Sequence, residues 1–179
     1  MQDIFSVPIE ILQLNNLDND LLVNYAKKKY NSSKKYENCF SYDVELQDLK
    51  SVVLQSAEKF STNYTGNTNN KIIIKRVWPN IHTDNSLITP HAHRDSFLSA
   101  VYYPKADNGE LVIQSPFSHS HLSHVDPNTI TKYNAYNSDN FFIPVKTGML
   151  IIFNAMLIHY VKPINGERYS IAFDLELEK

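Results

Sequence analysis

The sequence predicts a mainly β domain with helices near its N-terminus, folded as a jelly-roll or cupin-like barrel. Beyond residue 70 the chain runs through short segments rich in β-branched and aromatic residues, which turn-forming residues separate. Before residue 70, two stretches show the spacing of apolar residues that is typical of amphipathic helices. Helices followed by a run of short strands favour a closed barrel or a two-sheet jelly roll, with the helices covering one sheet.

The size and composition indicate one globular domain. A length of 179 residues fits a single domain spanning 1–179, with enough chain for a sizeable core. Apolar residues make up 42% of the chain and charged residues 20%, which distinguishes it from a disordered protein. We expect residues 1–70 to supply an N-terminal strand and supporting helices, and residues 71–179 to form the barrel core.

Charge and cysteine content argue against several classes of protein. The net charge of −2, from 17 basic and 19 acidic residues, is unfavourable for a broad nucleic-acid surface. Cys39 is the only cysteine, so neither an internal disulfide nor a cysteine-based zinc cluster can form. The N-terminal segment lacks the basic region of a signal peptide, and no apolar run reaches the roughly 18 residues of a membrane span. We therefore expect a cytoplasmic protein without a membrane partner.

The N-terminal elements are predicted from local pattern. Residues 4–14 read as a strand, and Pro8 favours an edge position because proline cannot donate a ladder hydrogen bond. Residues 17–30 carry acids at their start and lysines at their end, as a helix dipole prefers. Residues 46–64 have the apolar spacing of a second helix.

The remaining segments are predicted to be strands. Residues 71–83 form the first, and 96–104 with 109–116 form a predicted hairpin around a turn-rich connection. The segment 117–142 is long, polar and aromatic, which is typical of a functional loop. Four more strands follow, and Asn165 with Gly166 is a hairpin-turn signal between the last two.

Four residues are candidate metal ligands: His91, His93, Asp95 and His159. Residues two apart on a strand face the same side, so the first three could project from one edge, while His159 comes from a distant strand. Two imidazoles plus a carboxylate leave open positions on iron, as in non-haem Fe(II) oxygenases. We expect three of the four to bind and the fourth to support the site or contact substrate.

Arg168 lies nine residues after His159, and Ser170 shares its strand face. A guanidinium there could hold the carboxylate of a dicarboxylate cosubstrate bound to the metal, with the Ser170 hydroxyl as a further donor. Alternatively, Arg168 forms a surface salt bridge with Glu167 or Glu176. Tyr102 and Tyr103 point to opposite sheet faces, and core packing is an alternative role for either.

The chain resembles the Fe(II)/2-oxoglutarate-dependent oxygenase superfamily. More narrowly, it is similar to small 2OG-Fe(II) oxygenases of marine bacteria and phages that are related to prolyl hydroxylases. The resemblance is carried by DIFSVPI, VWPN, HAHRDSFLSAVYY, ELVIQSP and GMLIIFNAMLIHYVKPINGERYSIAF.

The resemblance implies a double-stranded β-helix that uses Fe(II), 2-oxoglutarate and O2. It further implies hydroxylation of a peptidyl or small-molecule substrate with release of succinate and CO2. Arg168 and Ser170 would hold the distal carboxylate of 2-oxoglutarate, and Tyr103 would contact it. The superfamily pattern His-x-Asp fits His93 and Asp95, whereas the narrower family has His-x-His at 91 and 93. Both assignments stay open here.

Two other functions compete with this interpretation. A cupin-like metal-dependent isomerase or sugar-binding barrel would share the histidines but would not need Arg168. A non-enzymatic β-sandwich module would hold no stoichiometric metal. Three more histidines, His119, His121 and His124, could bind a metal or contact substrate. We interpret them as part of a solvated loop, because no acidic residues are interspersed with them in the sequence.

Overall fold

The protein consists of two facing antiparallel sheets with two helices packed on the outside of the larger one. The structure, a computed structural model, describes residues 6–30, 43–117, 125–134 and 136–178. His119, His121 and His124 lie outside these ranges. Among the described residues, no helix combines the length and apolar character needed to span a membrane.

The helices are α1 (Asn19–Tyr30) and α2 (Gln47–Thr65). The strands are, in chain order, β1 (Ile9–Gln13), β2 (Ile72–His82), β3 (Ile88–His91), β4 (Leu98–Ala106), β5 (Glu110–Gln114), β6 (Asn140–Pro144), β7 (Met149–Asn154), β8 (His159–Val161) and β9 (Arg168–Leu177).

The larger sheet has the strand order β1-β7-β4-β9-β2 and separates two apolar cores. Its outer face packs against α1 and α2, so that Leu22, Val53 and Phe60 of the helices meet residues such as Tyr102 and Ile171 of the sheet. The helices form where predicted, because their apolar residues recur at the helical period and this sheet covers them. Strand β1 lies at the edge of this sheet, as predicted, but it begins at Ile9, so Pro8 precedes the strand instead of lying within it.

The smaller sheet has the order β3-β8-β5-β6 and faces the inner side of the larger one. A second apolar core lies between the sheets and includes Tyr103, Ile113, Ile151 and Phe153. Mainly β content, antiparallel sheets and the two helices confirm the predicted jelly-roll class, the double-stranded β-helix.

Both predicted hairpins are wrong. Strand β4 belongs to the larger sheet and pairs with β7 and β9, whereas β5 belongs to the smaller sheet and pairs with β6 and β8. Strands β8 and β9, joined through Asn165 and Gly166, likewise lie in different sheets. The turn residues were correctly located, but each turn carries the chain across the sandwich, because the apolar faces of these strands are buried against partners distant in sequence.

We expect Gly148→Ala to destabilise the fold more than Gly66→Ala. Both glycines have a left-handed backbone, with φ of +82° and +71°. A methyl group at Gly148 would lie 2.7 Å from the Leu14 carbonyl oxygen and 2.5 Å from Gln13 Nε2, while one at Gly66 would meet nothing within 4 Å. The free energy of unfolding of the Gly66 variant should fall by the backbone penalty alone, about 1 kcal/mol. Steric overlap raises the loss at Gly148 to about 2–4 kcal/mol.

Urea unfolding of both variants and the parent chain measures the two losses. Equal losses would show that the strand β1 backbone does not press against position 148.

Candidate metal centre

Three histidines converge at one end of the space between the sheets. His91 ends β3 and lies directly opposite His159, the first residue of β8, while His93 follows β3 by two residues. Their ring centroids are 4.4–5.1 Å apart. One ring nitrogen from each lies within 4.8 Å of the other two, a geometry that can hold a metal ion.

The ring orientation of two of these histidines is fixed by backbone carbonyls. His91 Nδ1 is 2.8 Å from the Thr89 carbonyl oxygen, and His159 Nδ1 is 3.0 Å from that of Leu157. A carbonyl oxygen only accepts, so each Nδ1 carries the proton and donates it. The lone pair of each ring is therefore on Nε2, the form that ligates a metal.

His93 is oriented by a buried carboxylate instead. Its Nδ1 donates to Asp174 Oδ1, and Asp174 is only 1% exposed. The other oxygen, Oδ2, accepts from Arg76 Nε at 2.7 Å. The ring stacks on Trp78 with centroids 5.6 Å apart. His93 Nε2 is buried without a hydrogen-bond partner in the described part of the chain, so a metal would satisfy it.

Burial keeps His159 in the neutral form that ligation requires. Loss of solvent lowers the pKa of His159 from 6.5 to about 4, although the hydrogen bond to the Leu157 carbonyl opposes this shift. Near pH 7 the ring is therefore uncharged, and no proton must leave before it binds a cation.

Asp95 lies outside the histidine cluster. Strand β3 ends at His91, and a turn follows in which Ser96 N donates to the His93 carbonyl oxygen at 3.0 Å. The expectation that His91, His93 and Asp95 share one strand is therefore wrong. The Asp95 side chain is 57% exposed and accepts from Arg76 Nη2 at 2.7 Å. That hydrogen bond lowers the pKa of the Asp95 carboxyl.

At the other end of the same cavity lies a buried arginine. Arg168, the first residue of β9, is 1% exposed, and its Nε and Nη1 have no hydrogen-bond partner among the described residues. It forms no surface salt bridge with Glu167, whose carboxylate binds Lys105 at 3.1 Å. The Tyr103 ring centroid is 5.7 Å from the guanidinium carbon. Burial lowers the pKa of Arg168, yet a guanidinium stays charged in proteins.

One cavity of about 220 Å³ joins the two ends. It is smaller than the sites of drug-sized ligands, so it suits a small metabolite. Its lining includes six of the seven predicted site residues: His91, His93, His159, Tyr103, Arg168 and Ser170. Tyr102 points to the opposite face, where its hydroxyl donates to Asn19 Oδ1 at 2.6 Å. Trp78 and Asn80 of β2 also line the cavity.

Two residues of the site were missed from the sequence: His82, which lines the cavity, and Asp174, which is hydrogen-bonded to His93. His82 lies opposite Arg168 in the β2–β9 pairing and is 5% exposed, with Nδ1 unpartnered in the described structure. Burial, and then the charge of Arg168, lowers its pKa from 6.5 to about 4. Asp174 could have been found, because Arg168, Ser170 and Asp174 are separated by even numbers of residues and share one strand face.

The donor set fits a first-row transition metal. Three imidazole nitrogens are ligands that iron, zinc, copper and nickel all accept, and they leave open coordination positions. Among the described residues, His93 Nε2 and the Nε and Nη1 of Arg168 have no hydrogen-bond partner, so the cavity could accept a cation at one end and an anion at the other.

Comparisons with known proteins agree with this architecture. The Pseudomonas putida prolyl-4-hydroxylase has a TM-score of 0.63 at 13% identity, with 97% of this chain and 90% of that chain covered. The viral collagen prolyl hydroxylase of Paramecium Bursaria Chlorella virus-1, solved with 2OG, has a TM-score of 0.61 at 16% identity, with 96% of each chain covered. HygX from Streptomyces hygroscopicus, solved with nickel and 2-oxoglutarate, has a TM-score of 0.56 at 10% identity, with 95% and 83% covered.

At these identities the likeness shows the fold alone. No curated protein matches the sequence. A family model described as "Putative 2OG-Fe(II) oxygenase" matches residues 76–174, more than half of the chain and the part that holds every residue of the cavity. The chain therefore belongs to this 2OG-Fe(II) oxygenase family.

Proposed function

We propose that the protein is an Fe(II)- and 2-oxoglutarate-dependent dioxygenase that hydroxylates a C–H bond of a peptidyl or small-molecule substrate, with release of succinate and CO2. One observation carries this proposal: three imidazoles that can share a cation lie in the same small cavity as a buried arginine, whose Nε and Nη1 have no hydrogen-bond partner among the described residues. A metal would satisfy the histidines, and an anionic ligand would compensate the buried charge of Arg168 as well.

The histidines His91, His93 and His159 would hold the iron. All three imidazoles have their Nδ1 engaged with an oxygen, which leaves Nε2 for ligation. Iron, when bound, supplies the oxygen chemistry, and the chain supplies placement and a cavity from which most water is excluded. Asp95 is not needed in this set, because its carboxylate is held by Arg76 and Lys75 at the surface.

The far carboxylate of 2-oxoglutarate would bind at the arginine end. Arg168 offers two nitrogens, Nε and Nη1, that have no hydrogen-bond partner in the described part of the chain, and Ser170 lines the same cavity. Burial raises the pKa of Tyr103 to about 12, so its hydroxyl keeps its proton and can donate to an anion. His82, neutral because its pKa is about 4, can add a further N–H without repelling the guanidinium.

The substrate would approach from the side of His91, which is exposed whereas His93 and His159 are not. Trp78, which stacks on His93, lines this part of the cavity. The prolyl hydroxylases of similar fold support a peptidyl substrate. The small volume of the cavity, about 220 Å³, keeps a small molecule as the second substrate class.

The first prediction concerns ligand binding. Under anaerobic conditions, the full chain should bind one Fe(II), and subsequent addition of 2-oxoglutarate should produce a visible charge-transfer band. His159→Ala should lose both, because it removes one of three ligands. Admission of O2 in the presence of candidate peptides and metabolites should then yield succinate. A cupin-like isomerase would bind metal but show no band with 2-oxoglutarate, and that result would reject the proposal.

The second prediction concerns Arg168. Arg168→Gln should raise the Kd for 2-oxoglutarate about 30- to 1,000-fold, or ~2–4 kcal/mol, because a buried charged contact is lost. The Kd for Fe(II) should change less than twofold, since the guanidinium does not touch the histidines. Arg94→Gln, at an exposed position, is the matched control and should change neither constant. Calorimetric titration measures both, and unaltered 2-oxoglutarate binding in the Arg168 variant contradicts the assigned role.

The third prediction concerns pH. The pKa of His82 is about 4 in the folded chain and about 6.5 when unfolded, so the unfolded chain takes up the proton first as pH falls. Its stabilising contribution is complete above pH 6.5 and is lost between pH 6.5 and 4, at up to about 1.4 kcal/mol per pH unit. Between pH 7 and 5, the free energy of unfolding of the metal-free chain, measured in urea, should therefore fall more steeply with decreasing pH than that of His82→Gln. Parallel pH profiles would show that His82 is not buried as a neutral ring.

A further inference from the structure

The carboxylate of Asp174 is buried directly behind a candidate metal ligand. Asp174 is 1% exposed, and its two oxygens have separate partners: Oδ1 accepts from His93 Nδ1, and Oδ2 accepts from Arg76 Nε at 2.7 Å. Burial of an ionised carboxylate is costly unless charged or hydrogen-bonding partners compensate it. Packing alone would not favour a carboxylate at this position, so its charge points to a role in the site.

We propose that Asp174 is a positioning residue of the metal centre, which acts through His93 and supplies the negative charge that three neutral imidazoles lack. This inference rests on the proposed function, because it requires that the three histidines hold a divalent cation. In this arrangement the carboxylate contacts a ligand ring and not the metal itself.

The physical effect has two parts. A carboxylate that accepts from Nδ1 fixes the His93 ring in the form that offers Nε2, and it makes that nitrogen a stronger donor. With Asp174 on Nδ1 of His93 and a cation held by Nε2 of the same ring, the negative charge would also attract the cation, and this attraction would be stronger in a buried site than in solvent. His91 and His159 are held only by neutral carbonyls, so His93 is the one ligand among the three with this support.

Arg76 holds Asp174 in place and is shared with a second carboxylate. The guanidinium is shared, with Nε and Nη2 near Asp174 and Nη2 also 2.7 Å from Asp95. Two carboxylates thus face one arginine, and the one at the surface is also paired with Lys75 at 3.2 Å. Asp174 is therefore the carboxylate that contacts a candidate metal ligand, whereas Asp95 forms an ion pair with Arg76 on the solvent side.

This division of roles gives a matched pair of variants. Asp174→Asn removes the buried charge but keeps an oxygen that can accept from His93 Nδ1, and Asp95→Asn removes the exposed charge from the same arginine. The metal-free full chain of each is titrated anaerobically with Fe(II) and Co(II) against a chromophoric chelator. We expect Asp174→Asn to weaken both metals about 10- to 100-fold. Asp95→Asn should change neither constant more than twofold.

A double-mutant cycle tests whether the effect passes through His93. In a His93→Ala background, Asp174→Asn should cost clearly less metal affinity than in the parent chain, because the ring that carries the hydrogen-bond part of its effect is gone. The visible spectrum of the Co(II) form should shift in Asp174→Asn and stay unchanged in Asp95→Asn. Additive losses, an unshifted spectrum, or equal damage from Asp95→Asn would each overturn the inference.

A measurement on the unaltered chain covers the case in which Asp174→Asn does not fold. In the Zn(II)-loaded protein, nitrogen NMR of the histidines should show His93 Nδ1 protonated and Nε2 bound to metal. Metal on Nδ1 would displace Asp174 and overturn the inference. If the parent chain binds no metal at all, the proposed function itself fails, an outcome distinct from normal metal binding by Asp174→Asn.

Discussion

Two charged side chains buried between the sheets determine which partners the site must provide or bind. Arg168 and Asp174 lie on the same face of β9, and each is 1% exposed. A buried charge is tolerated only with partners. The chain provides them for Asp174, through His93 and Arg76, but provides no hydrogen-bond partner for Nε and Nη1 of Arg168 among the described residues. The first charge is thus part of the folded framework, and the second is left for a ligand.

Local pattern was sufficient for much of the fold and the site. The helices follow from apolar spacing, and the face shared by Arg168 and Ser170 follows from the two-residue period of a strand. His159 stood out because an imidazole inside an apolar segment needs a partner. These inferences depend only on neighbours within one element, which is why the structure bears them out. The role of each residue toward iron and 2-oxoglutarate remains a matter for the proposed experiments.

The errors share a different origin, because each required knowledge of what packs against what. Turn residues after β4 indicated a reversal, but the partner of β5 is chosen by burial between the sheets. The acid at Asp95 satisfied the expected spacing from His93, yet the strand ends at His91 and the turn directs that carboxylate outward. Strand period predicts the face on which Asp174 lies, but its contact with His93, 81 residues away along the chain, depends on how the loop after β3 packs against β9, which no local pattern specifies.

The pairing of His91 with His159 gives any bound cation a mechanical role. Strand β3 has four residues, is mostly exposed, and forms one edge of the smaller sheet, where β8 is its only neighbour among the described strands. Short edge strands with little buried surface fray first. A metal bound by both histidines would link β3 to β8, which are distant in sequence. Metal binding would therefore reduce the mobility of this edge of the smaller sheet, so that local order would increase with metal occupancy.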